Sequence, residues 1–310
     1  MSAQLIGLQK LWDEAPHNAF TDLIRFRDSW ICVFREGSDH RSPDGQIRIL
    51  ISHDGASWSS RHVLSMPGLD LRDPKITMNP AGILMINAAA AYDSSAPIRH
   101  QSFVWFSEDG IDWSSPQKIG EPNIWLWRIK WQENVAYSVG YRTVEPLITR
   151  LYSSRDGIIF DTLVDNLFVE DFPNEAALAF KKDGTAICLL RRDGSQATAK
   201  LGLAQFPYMD WRWKDVGLRI GGPQLLCLPD GRIVAAVRRY GKDPWTSLNW
   251  LDQEEGTLTE FLALPSGGDT SYAGLYWHEE LLWISYYSSH DGKTSIYMAK
   301  VKLFENIAPR

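Results

Sequence analysis

The chain has 310 residues, enough to bury a large core, and we expect residues 1–310 to form a single domain. Its formal net charge is −6, with both signs interspersed. The absence of a basic stripe or polybasic segment argues against nucleic acid and membranes as partners. The sequence begins without a leader-like pattern and has no apolar run of membrane-span length, which predicts a cytoplasmic location.

Few segments have helical periodicity, and most read as short strands separated by turns rich in Gly, Asp, Asn, Pro and Ser. Leu5–Trp12 predicts the first strand. Phe20–Phe26 and Trp30–Phe34 predict a hairpin, followed by a strand at Gln46–Ser52 and another after the next turn. The segment after the first strand is therefore a unit of four strands.

A turn motif with the pattern Ser-x-Asp-Gly-x-x-aromatic occurs between predicted strands. It is found at Ser52–Trp58 and Ser107–Trp113, and in a degenerate form at Ser154–Phe160. Asp-Gly favours tight turns, because Asp bonds nearby amides and Gly accepts a positive φ. Three copies indicate an internal repeat, whose turns we expect to join third and fourth strands at the outer rim.

The inner hairpin turns of the four-strand unit recur about every 50 residues along the chain. They fall near Asp28, Gly82, Asn134, Gly184, Gly231 and Glu279. Six such units predict an all-β, six-bladed β-propeller. A β-helix would have shorter coils, and a stack of sandwiches would not explain six equal periods. The last unit, Tyr272–Leu303, supplies three strands, so we expect the N-terminal strand to complete it and close the ring.

In a propeller, the starts of the first strands and the ends of the second strands meet at one mouth of the channel. The residues predicted there are mainly Arg, carboxylates and Tyr. They include Asp22, Arg72, Arg128, Glu175 and Tyr272 at first strands, and Arg35, Asp39, Arg191 and Arg238 at or after second strands. Crowded charges at one mouth are costly unless they serve a ligand, so we expect a binding site at this mouth.

Three chemical roles follow from the residue types at this mouth. Arg191 and Arg238 are one blade period apart, and two convergent guanidiniums suit a carboxylate or another anion. Arg192 could take the place of Arg191, and Arg239 could take the place of Arg238. Glu175 near the Tyr272 phenol could accept its proton and make it a nucleophile. Asp39, in a loop over the mouth, could protonate a leaving group.

At these residues the chain resembles the sialidase (neuraminidase) superfamily. Its members are six-bladed propellers whose turns carry the Ser-x-Asp-Gly-x-x-aromatic motif, known as the Asp-box. The resemblance implies a glycosidase with a Tyr nucleophile, a Glu that activates it, a loop Asp as acid/base and an arginine triad for the substrate carboxylate. Tyr272, Glu175 and Asp39 match the first three roles. Arg191 and Arg238, or the residue after each, match the second and third arginines.

One position departs from the family pattern. The family begins its first blade with an aromatic-Arg-Ile-Pro motif, whereas this chain reads Phe20-Thr21-Asp22-Leu23. Arg35 or Arg72 could replace the missing arginine, and otherwise the substrate is not a sialic acid. The segment Arg72-Asp73-Pro74 resembles a landmark of blade two, in which we expect the Asp to orient a neighbouring Arg rather than to react.

The sequence therefore predicts a sialidase-like exo-glycosidase that acts on an acidic glycan terminus, without a metal or another cofactor. Two alternatives remain open. The first is a polysaccharide or uronate lyase, with Tyr or one of His17 and His40 as the base. The second is a glycan-binding propeller without catalysis. The oligomeric state is not indicated.

Overall fold

The computed structural model describes residues 3–93 and 95–304. These residues form strands and turns, and none of them forms a helix that could cross a membrane. The strands in chain order are β1 (Ala3–Trp12), β2 (His17–Phe26), β3 (Ser29–Gly37), β4 (Gln46–Ser52), β5 (Ser59–Leu64), β6 (Asp70–Met78), β7 (Leu84–Ala91), β8 (His100–Ser107), β9 (Gln117–Ile119), β10 (Ile124–Gln132), β11 (Val135–Arg142), β12 (Thr149–Ser154), β13 (Asp161–Phe168), β14 (Pro173–Phe180), β15 (Ala186–Arg192), β16 (Lys200–Ala204), β17 (Arg212–Asp215), β18 (Ile220–Cys227), β19 (Ile233–Arg239), β20 (Trp245–Asp252), β21 (Thr257–Ala263), β22 (Thr270–His278), β23 (Leu281–Ser288) and β24 (Ser295–Leu303).

The strands pair into six antiparallel sheets of four, which confirms the predicted six-bladed β-propeller. Blades one to five are β2–β5, β6–β9, β10–β13, β14–β17 and β18–β21. Blade six has the order β1-β24-β23-β22, so the N-terminal strand pairs with the last strand. Leu5 lies opposite Val301 and Leu8 opposite Ala299. The predicted closure of the ring by the first strand is therefore correct.

The cores lie between neighbouring blades. In the core between blades one and two, Val33 and Ile49 of the first blade pack with Ile86 and Trp105 of the second. Both faces of the inner strands are covered in this arrangement. This is why β3, β7 and β19 read as nearly continuous apolar runs rather than as alternating strands.

The three repeated turns have the same hydrogen bonds. In the first, the amides of Ala56 and Ser57 donate to Asp54 Oδ1 at 2.8 and 2.7 Å, and the Gly55 amide donates to Ser52 Oγ at 2.8 Å. The turns around Asp109 and Asp156 repeat this pattern. They join the third and fourth strands of blades one to three, as expected, and so they stabilise the blades rather than form the channel mouth.

The innermost strand of every blade carries a bulge near its start. At each bulge, two residues of the inner strand lie opposite one residue of the next strand. The bulged positions are residues 20–21, 73–74, 127–128, 174–175, 222–223 and 272–273. A bulge turns side chains away from the regular alternation of a strand. The six bulges therefore determine which side chains reach the centre of the ring.

Candidate active site

A cavity of about 760 Å³ is lined by side chains from all six blades. The polar and aromatic lining residues include Phe20, His40, Arg41, Asp70, Arg72, Asp73, Asp93, Arg99, His100, Tyr141, Arg142, Glu175, Arg191, Arg238 and Tyr272. Of the residues predicted for the site, the structure brings Arg72, Glu175, Arg191, Arg238 and Tyr272 together here. At the two positions where the sequence allowed a neighbouring arginine, Arg191 and Arg238 line the cavity, and Arg192 and Arg239 do not.

Tyr272, Glu175 and Arg191 form a triangle of hydrogen bonds. The Tyr272 hydroxyl donates to Glu175 Oε1 at 2.7 Å. Arg191 Nη1 donates to the same hydroxyl oxygen at 3.1 Å and lies 2.8 Å from Glu175 Oε2. The phenol thus has a carboxylate that can accept its proton and a guanidinium that can stabilise the resulting phenolate.

The bulges of blades five and six position the phenol. Tyr272 has φ of 50° at its bulge, a conformation that is uncommon for residues other than glycine. Gly222, with φ of 55°, lies against its ring, and a Cβ on this glycine would be 2.7 Å from Tyr272 Cδ2. The Gly222 amide also donates to Glu175 Oε2 at 2.8 Å. This glycine therefore makes room for the nucleophile and holds its base.

The surroundings set the charge states of the pair. Burial disfavours the charged form of Glu175, but Arg191 and the donated hydrogen bonds outweigh burial and keep its pKa below the usual value. Burial and the nearby charge of Glu175 raise the pKa of Tyr272 well above its ordinary value. At neutral pH the pair is an ionised carboxylate and a neutral phenol, which is the state that a base needs to accept the proton during attack.

Arg238 lies in the second strand of blade five, and its side chain is held by hydrogen bonds to blade six and the residue that precedes it. Its Nε donates to the Thr270 carbonyl at 2.8 Å, and its Nη2 donates to Asp269 Oδ1 at 2.9 Å and to the Tyr287 hydroxyl at 2.7 Å. Its guanidinium lies 5.0 Å from the centroid of the Tyr272 ring. Nη1 has no hydrogen-bond partner among the described residues, so this nitrogen can donate to a ligand.

Two histidines bind the other oxygen of Asp269. Oδ2 of this carboxylate is 3.1 Å from His17 Nε2 and 2.8 Å from His40 Nδ1. The second nitrogen of each ring lies 3.5 Å from a guanidinium, of Arg35 and Arg72 respectively. In the tautomer that accepts from the guanidinium, each ring donates to Asp269. In the described part of the chain, these three side chains alone have a spacing that suits a metal ion, and their hydrogen bonds already satisfy one another.

Arg35 and Arg72, the two candidates to replace the missing family arginine, share the carboxylate of Asp70. Arg35 Nε is 2.6 Å from Oδ1, and Arg72 Nη1 is 3.2 Å from Oδ2. Arg35 is 0% exposed and does not line the cavity. Arg72 does line it, with its guanidinium 5.1 Å from the centroid of the Phe20 ring. Of the two candidates, the structure brings only Arg72 to the site.

Asp22 and Arg128 lie outside the cavity lining, in a buried ion pair with an N–O distance of 3.2 Å. Asp22 also accepts the Ile76 amide at 3.0 Å, and Arg128 donates to the Ala273 carbonyl at 2.9 Å. The pair therefore joins blades one, two, three and six. The aspartate beside the missing family arginine is neutralised, and the structure places both residues in the framework rather than at the cavity surface.

Asp39 is exposed, and its carboxylate does not line the cavity. Its Oδ1 accepts the His40 amide at 2.6 Å within its own loop. The following residues, from His40 to Pro43, do line the cavity. The loop is therefore where the sequence predicted it, but the Asp39 side chain is directed elsewhere in this conformation.

Sequence reasoning missed Gly222 and Asp269. The pair Gly221-Gly222 at the start of the first strand of blade five was an available signal, since consecutive glycines at a strand start indicate close backbone contact. Asp269 had no comparable signal. Its histidine partners are 229 and 252 residues away in the chain, and only the closed ring brings them together.

No protein-family model matches the sequence, and no curated protein does either. Solved structures do match. A Dyadobacter fermentans protein of unknown function is 18% identical with a TM-score of 0.86, and the match covers 98% of this chain and 100% of that one. An α-L-arabinanase from Penicillium chrysogenum, solved with arabinobiose, is 12% identical with a TM-score of 0.70 and coverage of 96% and 97%.

A Trypanosoma rangeli sialidase variant with trans-sialidase activity is 9% identical with a TM-score of 0.68. The match covers 96% of this chain and 58% of the sialidase. At these identities the likeness concerns the fold, and at that level it confirms the resemblance to the sialidase superfamily. The chain therefore has the six-bladed β-propeller fold that sialidases and arabinanases share.

Proposed function

We propose that the protein is a retaining glycosidase that removes a terminal sugar, with Tyr272 as the nucleophile and Glu175 as the base that activates it. The observation that carries this proposal is the 2.7 Å hydrogen bond from the Tyr272 hydroxyl to Glu175, with Arg191 on both groups. Both side chains line a cavity that is large enough for a sugar. The shared fold with propeller glycosidases supports the same reaction class.

In the first step, Tyr272 Oη attacks the anomeric carbon while Glu175 Oε1 takes the phenol proton. Arg191 stabilises the negative charge that develops on the phenolic oxygen. The glycosidic bond breaks, its oxygen receives a proton from an acid in the cavity, and a glycosyl–tyrosine bond forms. In the second step, water attacks the anomeric carbon and gives its proton to the conjugate base of that acid. The phenolate leaves and recovers its proton from Glu175.

The proposed sugar is neutral, in contrast to the acidic group that the sequence predicted. The three cavity arginines predicted to bind substrate already have carboxylate partners. Arg72 pairs with Asp70, Arg191 with Glu175, and Arg238 with Asp269, at 3.2, 2.8 and 2.9 Å. A substrate carboxylate that binds these three guanidiniums would have to compete with their ion pairs. A sugar hydroxyl needs only a free donor such as Arg238 Nη1. The arabinobiose bound to the arabinanase is a neutral disaccharide of this kind.

The proposal is tested with purified wild type, Tyr272→Phe and Glu175→Gln against a panel of chromogenic and fluorogenic substrates. The panel contains 4-nitrophenyl glycosides of neutral sugars, including α-L-arabinofuranoside, and the 4-methylumbelliferyl glycoside of N-acetylneuraminic acid. We expect the wild type to hydrolyse a neutral glycoside and Tyr272→Phe to lose at least about 10³-fold in kcat. Glu175→Gln should lose about 10²-fold or more.

Three outcomes would contradict the proposal. Wild-type rates in Tyr272→Phe would exclude the nucleophile. Turnover of the neuraminic acid glycoside alone would exclude the neutral sugar. An unsaturated sugar product, lighter by one water than the hydrolysis product in mass spectrometry, would indicate the lyase alternative. Equal melting temperatures of the three proteins would show that any loss is chemical rather than structural.

A further inference from the structure

Asp73 differs from the other carboxylates in the cavity. Asp70 and Glu175 accept from guanidiniums, and Asp93 accepts from Ser95. Asp73 has neither a hydrogen bond nor an ion pair to its side chain among the described residues. It is 5% exposed, and its Oδ1 is shielded from solvent without a partner. A buried carboxylate without donors is poorly suited to be a fixed anion and well suited to carry a proton.

The backbone presents Asp73 in the same way as the nucleophile. Asp73 is the first residue of the bulge in blade two, with φ of 51°, and Tyr272 is the first residue of the bulge in blade six, with φ of 50°. Glu175 lies in the bulge of blade four. Left-handed conformations in residues other than glycine persist where the surrounding structure enforces them, and they cluster at functional sites. Alternate blades thus supply these three side chains to one cavity.

The protonation state of Asp73 suits proton transfer. Burial raises its pKa to about 6, against the opposing charges of Lys75 and Arg72. The negative charge of Glu175 also raises the pKa of Asp73. A carboxylic acid that titrates near the working pH can both release a proton and take one back.

We infer that Asp73 is the general acid and base of the glycosidase reaction, the role that the sequence predicted for Asp39. This inference rests on the proposed function. In the first step the Asp73 carboxylic acid gives its proton to the glycosidic oxygen as the bond to the anomeric carbon breaks. In the second step the Asp73 carboxylate takes a proton from the attacking water. The acid is then restored, and the net reaction is hydrolysis.

The test compares Asp73→Asn and Asp39→Asn on two glycosides of the neutral sugar that the wild type hydrolyses. The 2,4-dinitrophenyl glycoside has a leaving group that needs no proton, and the methyl glycoside has one that does. We expect Asp73→Asn to lose about 10²- to 10⁴-fold in kcat/KM on the methyl glycoside and less than about 10-fold on the dinitrophenyl glycoside. The basic limb of the wild-type pH profile, near pH 6, should disappear in this variant.

A second readout follows the glycosyl intermediate. In Asp73→Asn the dinitrophenyl glycoside should give a burst of one equivalent of dinitrophenolate and then a slow phase, because the base for the second step is missing. Azide needs no base, so it should accelerate the slow phase and yield a glycosyl azide. Acceleration by azide separates a catalytic carboxylate from one that only supports the cavity. A loss of activity caused by a distorted cavity would not be rescued by azide.

Equal losses on both glycosides without azide rescue would overturn the role of Asp73. A loss that depends on the leaving group in Asp39→Asn, but not in Asp73→Asn, would return the role to Asp39. In either case an inactive Tyr272→Phe would leave the proposed function intact. Full activity of Tyr272→Phe would instead overturn the proposed function itself. The melting temperature of each variant shows whether it is folded.

Discussion

Glu175 and Asp73 are both buried and line the same cavity, yet their pKa values move in opposite directions. Glu175 has a guanidinium, a phenol and a backbone amide as donors, so it stays ionised. Asp73 has none of these, and burial dominates. Carboxylates separated in this way can divide the roles of base and acid between them. At the scale of single residues, hydrogen-bond donors thus decide the chemistry more than residue type does.

The raised pKa of Asp73 also predicts an effect on stability. The pKa is about 6 in the folded protein and about 3.9 in an unfolded chain. The folded state therefore favours the protonated form, and the stability that Asp73 confers below pH 4 is lost as the pH rises through 6. Asparagine cannot ionise, so Asp73→Asn should be more stable than the wild type at pH 8 by about 3 kcal/mol, with a gain of less than about 1 kcal/mol at pH 4.

Urea unfolding of both proteins at pH 4 and pH 8 measures this difference. All other titrating groups are present in both proteins, so the difference arises from Asp73 and from its effect on neighbouring charges such as Glu175 and Lys75. A variant that is less stable than the wild type at pH 8 would contradict the assigned protonation state.

The bulge is the element that turns a blade into part of the site. Without it, the inner strands would point alternate side chains into the blade interfaces, as the rest of each strand does. With it, blades two, four and six each present one reactive side chain. Gly222 in the bulge of blade five has no side chain of its own and leaves the space that the Tyr272 ring occupies.

Gly222→Ala should therefore reduce catalysis more than stability. The new Cβ would displace the Tyr272 ring and weaken its hydrogen bond to Glu175, so we expect kcat to fall by about 10²-fold. Gly184→Ala is a matched control, because Gly184 has φ of 82° but a Cβ at this position would have no atom within 4 Å. Both variants lose stability through the left-handed backbone. Gly222→Ala loses more, because its Cβ also displaces the buried Tyr272 ring, but only Gly222→Ala should lose activity. Equal kcat values in the two variants would contradict the positioning role of Gly222.

Two kinds of contact join the blades: apolar cores between neighbouring blades and a buried ion pair near the centre of the ring. The cores lie between neighbouring blades, whereas the Asp22–Arg128 pair joins blades that are not all neighbours. Both side chains are almost completely buried, Asp22 at 4% exposure and Arg128 at 3%. Removing one partner of such a pair leaves an uncompensated charge in the interior.

Arg128→Met should lower the free energy of unfolding by about 3–5 kcal/mol. In Asp22→Asn/Arg128→Met neither charge remains, so part of the stability should return. Denaturant unfolding of the wild type, the single variant and the double variant measures both effects. A single variant within about 1 kcal/mol of the wild type would show that the pair is not a structural connection.

Much of the fold could be predicted because its determinants are local. Turn residues such as Asp54 and Gly55 set hairpins through contacts a few positions apart, and the repeat along the chain counts the blades. The last unit lacked one strand, which predicted the closure by β1. The pairing of Tyr272 with Glu175 was also anticipated, since both stand at strand starts that a propeller brings together.

The rest of the site depends on contacts that no local pattern encodes. Whether an arginine is free or already paired is decided by carboxylates in other blades, as with Arg238 and Asp269. Whether an aspartate is a fixed anion or a proton carrier is decided by the donors around it, as with Asp73. The sequence by itself determined the six-bladed ring, and it predicted part of the set of side chains near its centre, among them Tyr272, Glu175 and Arg191. Only the tertiary structure decided their partners and charge states, because these depend on distances across the closed ring.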